Sequence, residues 1–161
     1  MPESTLLAAI SHAHPKIAPY PFTTLQPVIG TIPYDTFTRL KLVDIPGLIL
    51  GAHTGAGLGH TFLRHVERTR GLVYVIDMAG ADGRHPADDY AILRDELKHY
   101  NPALLQRPAL IAANKMDVPE SVKLLKEFIK RTGCKPIKIS ALNGEGIDEL
   151  KRVMAKLVLS P

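Results

Sequence analysis

The sequence has little of what would take it out of the ordinary globular class. One cysteine in 161 residues, Cys134, can form no internal disulfide, so a reducing compartment is expected, the cytoplasm first and the mitochondrion as the alternative. No apolar run approaches the roughly 18 residues that cross a bilayer. The longest are fragments such as Gly71 to Ile76 and Ala109 to Ala113, so no membrane partner is expected. The opening Met-Pro-Glu-Ser-Thr-Leu-Leu carries no basic stretch ahead of an apolar one, and a secretory leader is not expected either. Charge excess is small: 20 Lys and Arg against 16 Asp and Glu leave +4, and 22% charged residues beside 45% hydrophobic ones exclude a disordered chain. That balance favours an RNA-rich partner only weakly.

What is present fits one domain with a buried core. Glu3 to Ala13 reads as a helix, with Leu6, Leu7 and Ile10 at helical spacing. Residues 14–27 hold four prolines and two adjacent threonines and read as a loop, ordered or switchable. Val28 to Tyr34 and Phe37 to Ile45 alternate across a polar turn at Asp35 and Thr36 and predict a hairpin. Pro46 to Gly59 contains five glycines and must be loop, followed by a helix from Thr61 to Arg70. Leu72 to Ile76, Leu110 to Ala113 and Ile137 to Ile139 are short apolar runs of the kind buried in a parallel sheet. Helical patterns at Asp88 to Tyr100, Ser121 to Arg131 and Gly146 to Leu157 alternate with them. The order implies right-handed crossovers and an α/β fold with a mostly parallel sheet. Ligands bind such sheets beyond the carboxyl ends of the strands.

The loops at those ends carry distinctive residues. Asn114-Lys115-Met116-Asp117 follows one strand. The Asp117 carboxylate can accept the N1–H and the exocyclic amino group of guanine side by side, a pair of donors that adenine lacks. Asn114 can brace the loop, and the Lys115 stem can lie along the ring. The plainer reading makes Asp117 the N-cap of a helix starting near Pro119. Ser140-Ala141-Leu142, one βα unit later, falls beside Asp117, with a backbone N–H in reach of the guanine oxygen. Asp44-Ile45-Pro46-Gly47 follows the hairpin; its carboxylate can hold a water of Mg²⁺ and its glycine lets a backbone N–H approach a terminal phosphate. An ordinary Asp-x-Pro-Gly turn is the alternative there. Thr23 and Thr24 offer a hydroxyl to the same metal, or are simply a threonine pair.

Together these motifs have the order and spacing of the TRAFAC-class GTPases. Tyr20-Pro21-Phe22-Thr23-Thr24-Leu25, Asp44 to Ile49, Gly55-Ala56-Gly57-Leu58-Gly59, Phe62 to Arg70 and Ala112 to Asp117 closely resemble the Obg family. The resemblance covers essentially the whole chain and implies an Obg-type G domain over residues 1–161, a P-loop GTPase-type three-layer fold. It implies a switch that binds GTP or GDP with Mg²⁺ and assists assembly of the large ribosomal subunit, with rRNA and ribosomal proteins as partners and the chain a monomer. By position Ser4 matches the metal-binding serine that closes the phosphate loop, and Thr24 the switch threonine, with Phe22, Thr23, Leu25 and Gln26 around it. Asp44 to Gly47 match the γ-phosphate sensor. Asn114, Lys115, Met116 and Asp117 match the guanine-reading loop, with Ser140, Ala141 and Leu142 in support. Leu48 stands where many GTPases place a water-orienting glutamine, which implies slow unaided hydrolysis.

The match fails at the start. Of the family's phosphate loop only Ser4 and Thr5 survive, and Glu3 occupies the lysine position. An anion in place of a cation at ~4 Å shifts the local energy by several kcal/mol at an effective dielectric near 20. The strand before that loop is missing too. In this class it lies between the strands matching Phe37 to Ile45 and Leu72 to Ile76, and its loss leaves two edges unpaired. The expectation is a G domain partial at its N-terminus and impaired in hydrolysis. The alternative is a non-hydrolysing, GTPase-derived, ribosome-binding module. His12, His14, His60 and His65 have no ligand-spaced partner, Cys134 reads as a packing thiol, and the basic run from Lys123 to Lys135 as a solvated helix face.

Overall fold

The computed structural model describes residues 6, 9–10, 16–17, 28–43, 67–80 and 83–159. Two three-stranded sheets form among them. In the first, β1 (Lys16–Ile17), β2 (Val28–Pro33) and β3 (Arg39–Val43) pair antiparallel, in register from Ile29 against Val43 to Pro33 against Arg39 for the second pair. The predicted hairpin is present, its first arm ending at Pro33 and its second beginning at Arg39, while Asp44 and Ile45 lie outside the described residues. Its turn is made by Asp35, whose Oδ1 accepts the N–H groups of Phe37 (2.8 Å) and Thr38 (2.6 Å), while Tyr34 N–H closes on the Thr38 carbonyl. β1 lies within the stretch read as loop. Two residues between prolines give no periodicity, and only pairing with β2 makes them a strand.

In the second sheet β4 (Leu72–Asp77), β5 (Ala109–Asn114) and β6 (Ile137–Lys138) run parallel, with Leu72 against Ala109, Asp77 against Asn114 and Ala112 against Ile137. Both faces are covered, as the continuous apolar runs require. One face packs Tyr74, Ile76 and Met78 against Leu97, Leu104 and Phe128. Tyr90 stands edge-on to both Tyr74 and Phe128, at 5.3 and 5.7 Å between ring centres. The other face packs Ala112 and Ile139 against Leu150, Met154, Leu6 and Ile10, and Ile32 of β2 joins the same core. Each large side chain buried here contributes about 1.5–3 kcal/mol.

Among the described residues the cover comes from α1 (Pro86–Tyr100), α2 (Glu120–Thr132) and α3 (Ile147–Leu159), with a 3-10 turn at Pro102–Gln106 and the helical residues Leu6 and Ile10. α1 begins earlier than the apolar pattern predicts because His85 caps it, Nδ1 accepting the Ala87 N–H at 3.0 Å with Pro86 in the first turn. α2 ends at Gly133, in the left-handed region at φ 72°, whose N–H bonds the Ile129 carbonyl. Among the described residues no strand pairs with the outer edge of β3 or of β4.

Candidate functional site

β5 and β6 are neighbours in a parallel sheet, so the loops leaving their carboxyl ends meet. Asn114, buried at the last position of β5, ties them together. Its Oδ1 accepts the N–H of Lys115 at 2.8 Å and that of Ala141 at 3.0 Å. Of the Ser140-Ala141-Leu142 backbone expected to offer an N–H to a guanine oxygen, the Ala141 N–H is thus engaged by Asn114. Backbone bonds reinforce the junction: Ile139 N–H to the Ala113 carbonyl (2.9 Å) and Met116 N–H to the Ile139 carbonyl (3.1 Å).

Asp117 sits across this junction. Ser140, fully buried, donates its hydroxyl to Asp117 Oδ1 at 2.7 Å and accepts the Asn143 N–H at 3.1 Å. A carboxylate has about four acceptor sites, so one bond from Ser140 orients it and leaves capacity for a further pair of donors. The plain helix-cap reading of Asp117 does not hold. α2 has Pro119 at its N-cap position with no side-chain capping bond, and Asp117 is directed to Ser140 instead. Ser140, Ala141 and Asp117 are therefore brought together, while Leu142 is exposed at the loop tip and Met116 packs against the first core.

Lys115 is the only non-glycine residue with positive φ among the described ones, at 65°. Such a backbone costs about 1–3 kcal/mol and persists only where its surroundings fix it. Ser121 at the start of α2 is buried and donates to the Lys115 carbonyl at 2.7 Å, and Val118 N–H bonds the same oxygen. The side chain is held as well. Lys115 Nζ donates to Asp77 Oδ2 at 2.7 Å, and Asp77 Oδ1 accepts the Ala79 N–H at the same distance. The bond to Asp77 holds the ammonium above the ordinary lysine value, while partial burial pulls the other way.

Asp77 and Ser121 are site residues that motif reading misses. Asp77 is visible in the sequence only as a carboxylate ending the β4 run, a signal shared with many strand ends. Gly146 is a third. At φ 73° it carries the chain past β6 so closely that a Cβ would overlap the Lys138 carbonyl oxygen. The expected ligands on the other side of the site, Ser4, Phe22, Thr23, Thr24, Leu25, Gln26, Asp44, Ile45, Pro46 and Gly47, lie outside the described residues. Among the described residues no three His, Cys, Asp or Glu side chains gather as a metal site.

Comparison with known proteins adds the family. The family model described as 50S ribosome-binding GTPase matches residues 3–115. A GTPase Obg of Akkermansia muciniphila is 50% identical over 157 residues, 97% of this chain and 45% of that protein. A GTPase Obg of Halalkalibacterium halodurans is 51% identical over 154 residues, 94% of this chain and 36% of its own length. The chain thus spans less than half the length of these relatives. Among solved structures, Aquifex aeolicus Era bound to GDP and aluminium fluoride superposes with a TM-score of 0.65 at 21% identity, over 97% of this chain and 52% of that one. The cytosolic domain of L. pneumophila FeoB gives 0.67 at 19% identity, over 96% of this chain and 63% of that one. These two establish the P-loop GTPase fold. With the family model covering most of its length and Obg proteins about half identical to it, the chain belongs to the 50S ribosome-binding GTPases, as an Obg-type member.

Proposed function

We propose that residues 1–161 act as the guanine-nucleotide-binding part of an Obg-type GTPase, a switch whose GTP hydrolysis assists assembly of the large ribosomal subunit in the cytoplasm. The observation that carries the reading is the junction of the β5 and β6 loops, where Ser140 orients Asp117 and Asn114 locks Ala141 to Lys115. An oriented carboxylate accepts the paired N–H donors of guanine and finds none on adenine. Lys115, pinned to Asp77, lays its stem beside the base position.

In the same proposal Ser4, Thr24 and Asp44 would hold Mg²⁺, and Gly47 would meet the terminal phosphate. When bound, the metal would supply charge neutralisation to the phosphates. Residues 14–27, with Phe22 to Gln26, form the first switch loop and residues 44–60, with Asp44 to Gly47, the second, and Leu48 in place of a glutamine keeps unaided hydrolysis slow. Glu3 at the phosphate-lysine position favours a second reading, a ribosome-facing module that no longer grips phosphate.

Calorimetric titration with GTP, GDP, guanosine and ATP tests both. Binding of GTP and GDP in preference to ATP and to guanosine supports the nucleotide switch. Equal, weak binding of GTP and guanosine selects the second reading, and no preference for guanine over adenine overturns the base-reading assignment.

A further inference from the structure

We propose that the tip of the β2–β3 hairpin docks an unpaired segment of RNA, stacking bases on Phe37 and Tyr34 while Arg39 and Lys41 hold the adjoining phosphates. Phe37 is 95% exposed and Tyr34 55%, and among the described residues they are the only exposed aromatic rings. The turn that carries them is fixed. Asp35 Oδ1 accepts the Phe37 and Thr38 N–H groups, and the Tyr34 and Asp35 N–H groups both close on the Thr38 carbonyl. Rings presented on a turn already ordered lose little freedom when a ligand arrives. The same bonds engage Asp35, whose carboxylate is the only acidic group between Tyr34 and Thr38.

Charge and ring geometry identify the partner. Arg39 and Lys41 are exposed two residues apart on β3 and so share one face of the strand. Opposite them on β2 stand Pro33 and Thr31, neither of them charged. Arg68 and Arg70, exposed on the approach to β4, border with them a cavity that no acidic side chain lines, so the cationic character belongs to its rim and stands whatever fills the cavity. Cations beside exposed rings bind single strands, because phosphates follow the cations and any base lies flat on a ring. Base-paired RNA hides its base faces and offers this surface only phosphates. An acidic protein would also satisfy the cations, but a ring anchored in a protein pocket needs surrounding contacts that exclude water. The neighbours of Phe37 at the tip are Asp35, Thr36 and Thr38, all polar and none buried, which suits a ring used by its flat face. That the strand is RNA rests on the function proposed above; no residue of the β5–β6 junction takes part, so guanine-nucleotide titration reports on that function separately.

Fluorescence anisotropy of the 161-residue chain with labelled decauridylate, a ten-base-pair RNA duplex and decaglutamate tests the proposal. The single strand is expected to bind at least fivefold more tightly than either of the others. Phe37→Ala and Phe37→Leu are each expected to weaken it by about fivefold or more, the loss of one stacked base, whereas Phe37→Trp retains it. Arg39→Gln combined with Lys41→Gln is expected to weaken it as well and to reduce the slope of log affinity against log salt by about 1.4, roughly 0.7 for each phosphate released. GTP and GDP titrations are expected to be the same in these variants as in the wild type. Absence of binding to the single strand, equal binding of the duplex or of decaglutamate, a Phe37→Leu variant as tight as the wild type, or an unchanged salt slope in the double variant each overturns the proposal, and any of these with guanine-nucleotide binding intact leaves the nucleotide switch standing.

Discussion

Ser140 donates its hydroxyl to Asp117 Oδ1 at 2.7 Å from a fully buried position just after β6. This bond is the shortest link between the two loops at the carboxyl edge of the sheet. Ser140→Ala removes it and also deprives the Asn143 N–H of its acceptor. A hydrogen bond to a charged group contributes about 1.5–3 kcal/mol, so guanine nucleotide affinity should fall tenfold or more. Calorimetry beside thermal melting separates this from a general loss of fold. A lowered melting temperature with unchanged affinity would remove Ser140 from the site.

Asp117→Asn replaces an acceptor-only group with one that both donates and accepts. Xanthine offers a carbonyl where guanine has its exocyclic amino group, so preference should shift from guanine towards xanthine nucleotides. The comparison is best made in a version of the chain with a glycine-lysine phosphate loop restored. Unchanged guanine preference there would exclude Asp117 from base reading.

Lys115 and Asp77 form the second link, with side chains only 21% and 29% exposed. The ammonium is held above its ordinary value of 10.5, first by the bond to Asp77. A lysine whose folded value is raised contributes stability that is fully present below the unfolded value and lost as pH rises through the folded one. Melting of the chain should therefore weaken at alkaline pH beginning near 10.5, by about 1 kcal/mol for a part-buried pair. Asp77→Asn should remove that alkaline step and free the left-handed Lys115 loop, read as faster exchange of the Lys115 amide. An alkaline profile identical in wild type and variant contradicts the assignment.

The chain from residue 71 onwards was the more legible part. Leu72 to Ile76 and Leu110 to Ala113 are apolar on both faces because helices cover both, so a run without alternation reads correctly as a buried strand. Asn114, Asp117 and Ser140 fall at strand ends that the element order alone places side by side. Asp77 and Ser121 were not legible, since Asp77 acts on Lys115 from 38 residues away and Ser121 from the first turn of the following helix, and neither carries a local signal. The start of α1 was missed for a related reason: histidine is an uncommon cap, and His85 is fixed in place by a contact from its Nε2 to Glu127 of α2 at 3.0 Å. Pairing partners far along the chain likewise made β1 a strand.

Asp35 organises the β2–β3 turn through the N–H groups of Phe37 and Thr38, and these bonds hold its carboxyl below the ordinary value of 3.8, the Phe37 bond first. The sign is opposite to that of Lys115. A depressed carboxyl contributes stability present above the unfolded value and lost as pH falls through the folded one. The Phe37 and Thr38 amides should therefore lose protection below about pH 3.8, and Asp35→Ala should abolish the protection at neutral pH while Asp35→Asn keeps part of it without the acid step. Amide exchange followed by NMR across that range decides it.

Gly146 gives the largest expected effect on stability. Its φ of 73° lies where side chains are disfavoured, and a Cβ there would overlap the Lys138 carbonyl oxygen and crowd Ile139. Because Lys138 is paired into β6 and Ile139 is buried in the core, neither neighbour can yield without disturbing the sheet. Gly146→Ala should therefore destabilise the chain by about 3 kcal/mol or more, combining backbone strain with overpacking. Gly133→Ala supplies the control: it shares the positive φ, at 72°, but a Cβ there meets nothing within 4 Å, so only the strain of about 1 kcal/mol should appear. Urea unfolding of both variants measures the difference. Equal losses would mean that the close approach at Lys138 relaxes freely and that the β6 loop owes its shape to the Ser140 and Asn114 bonds alone.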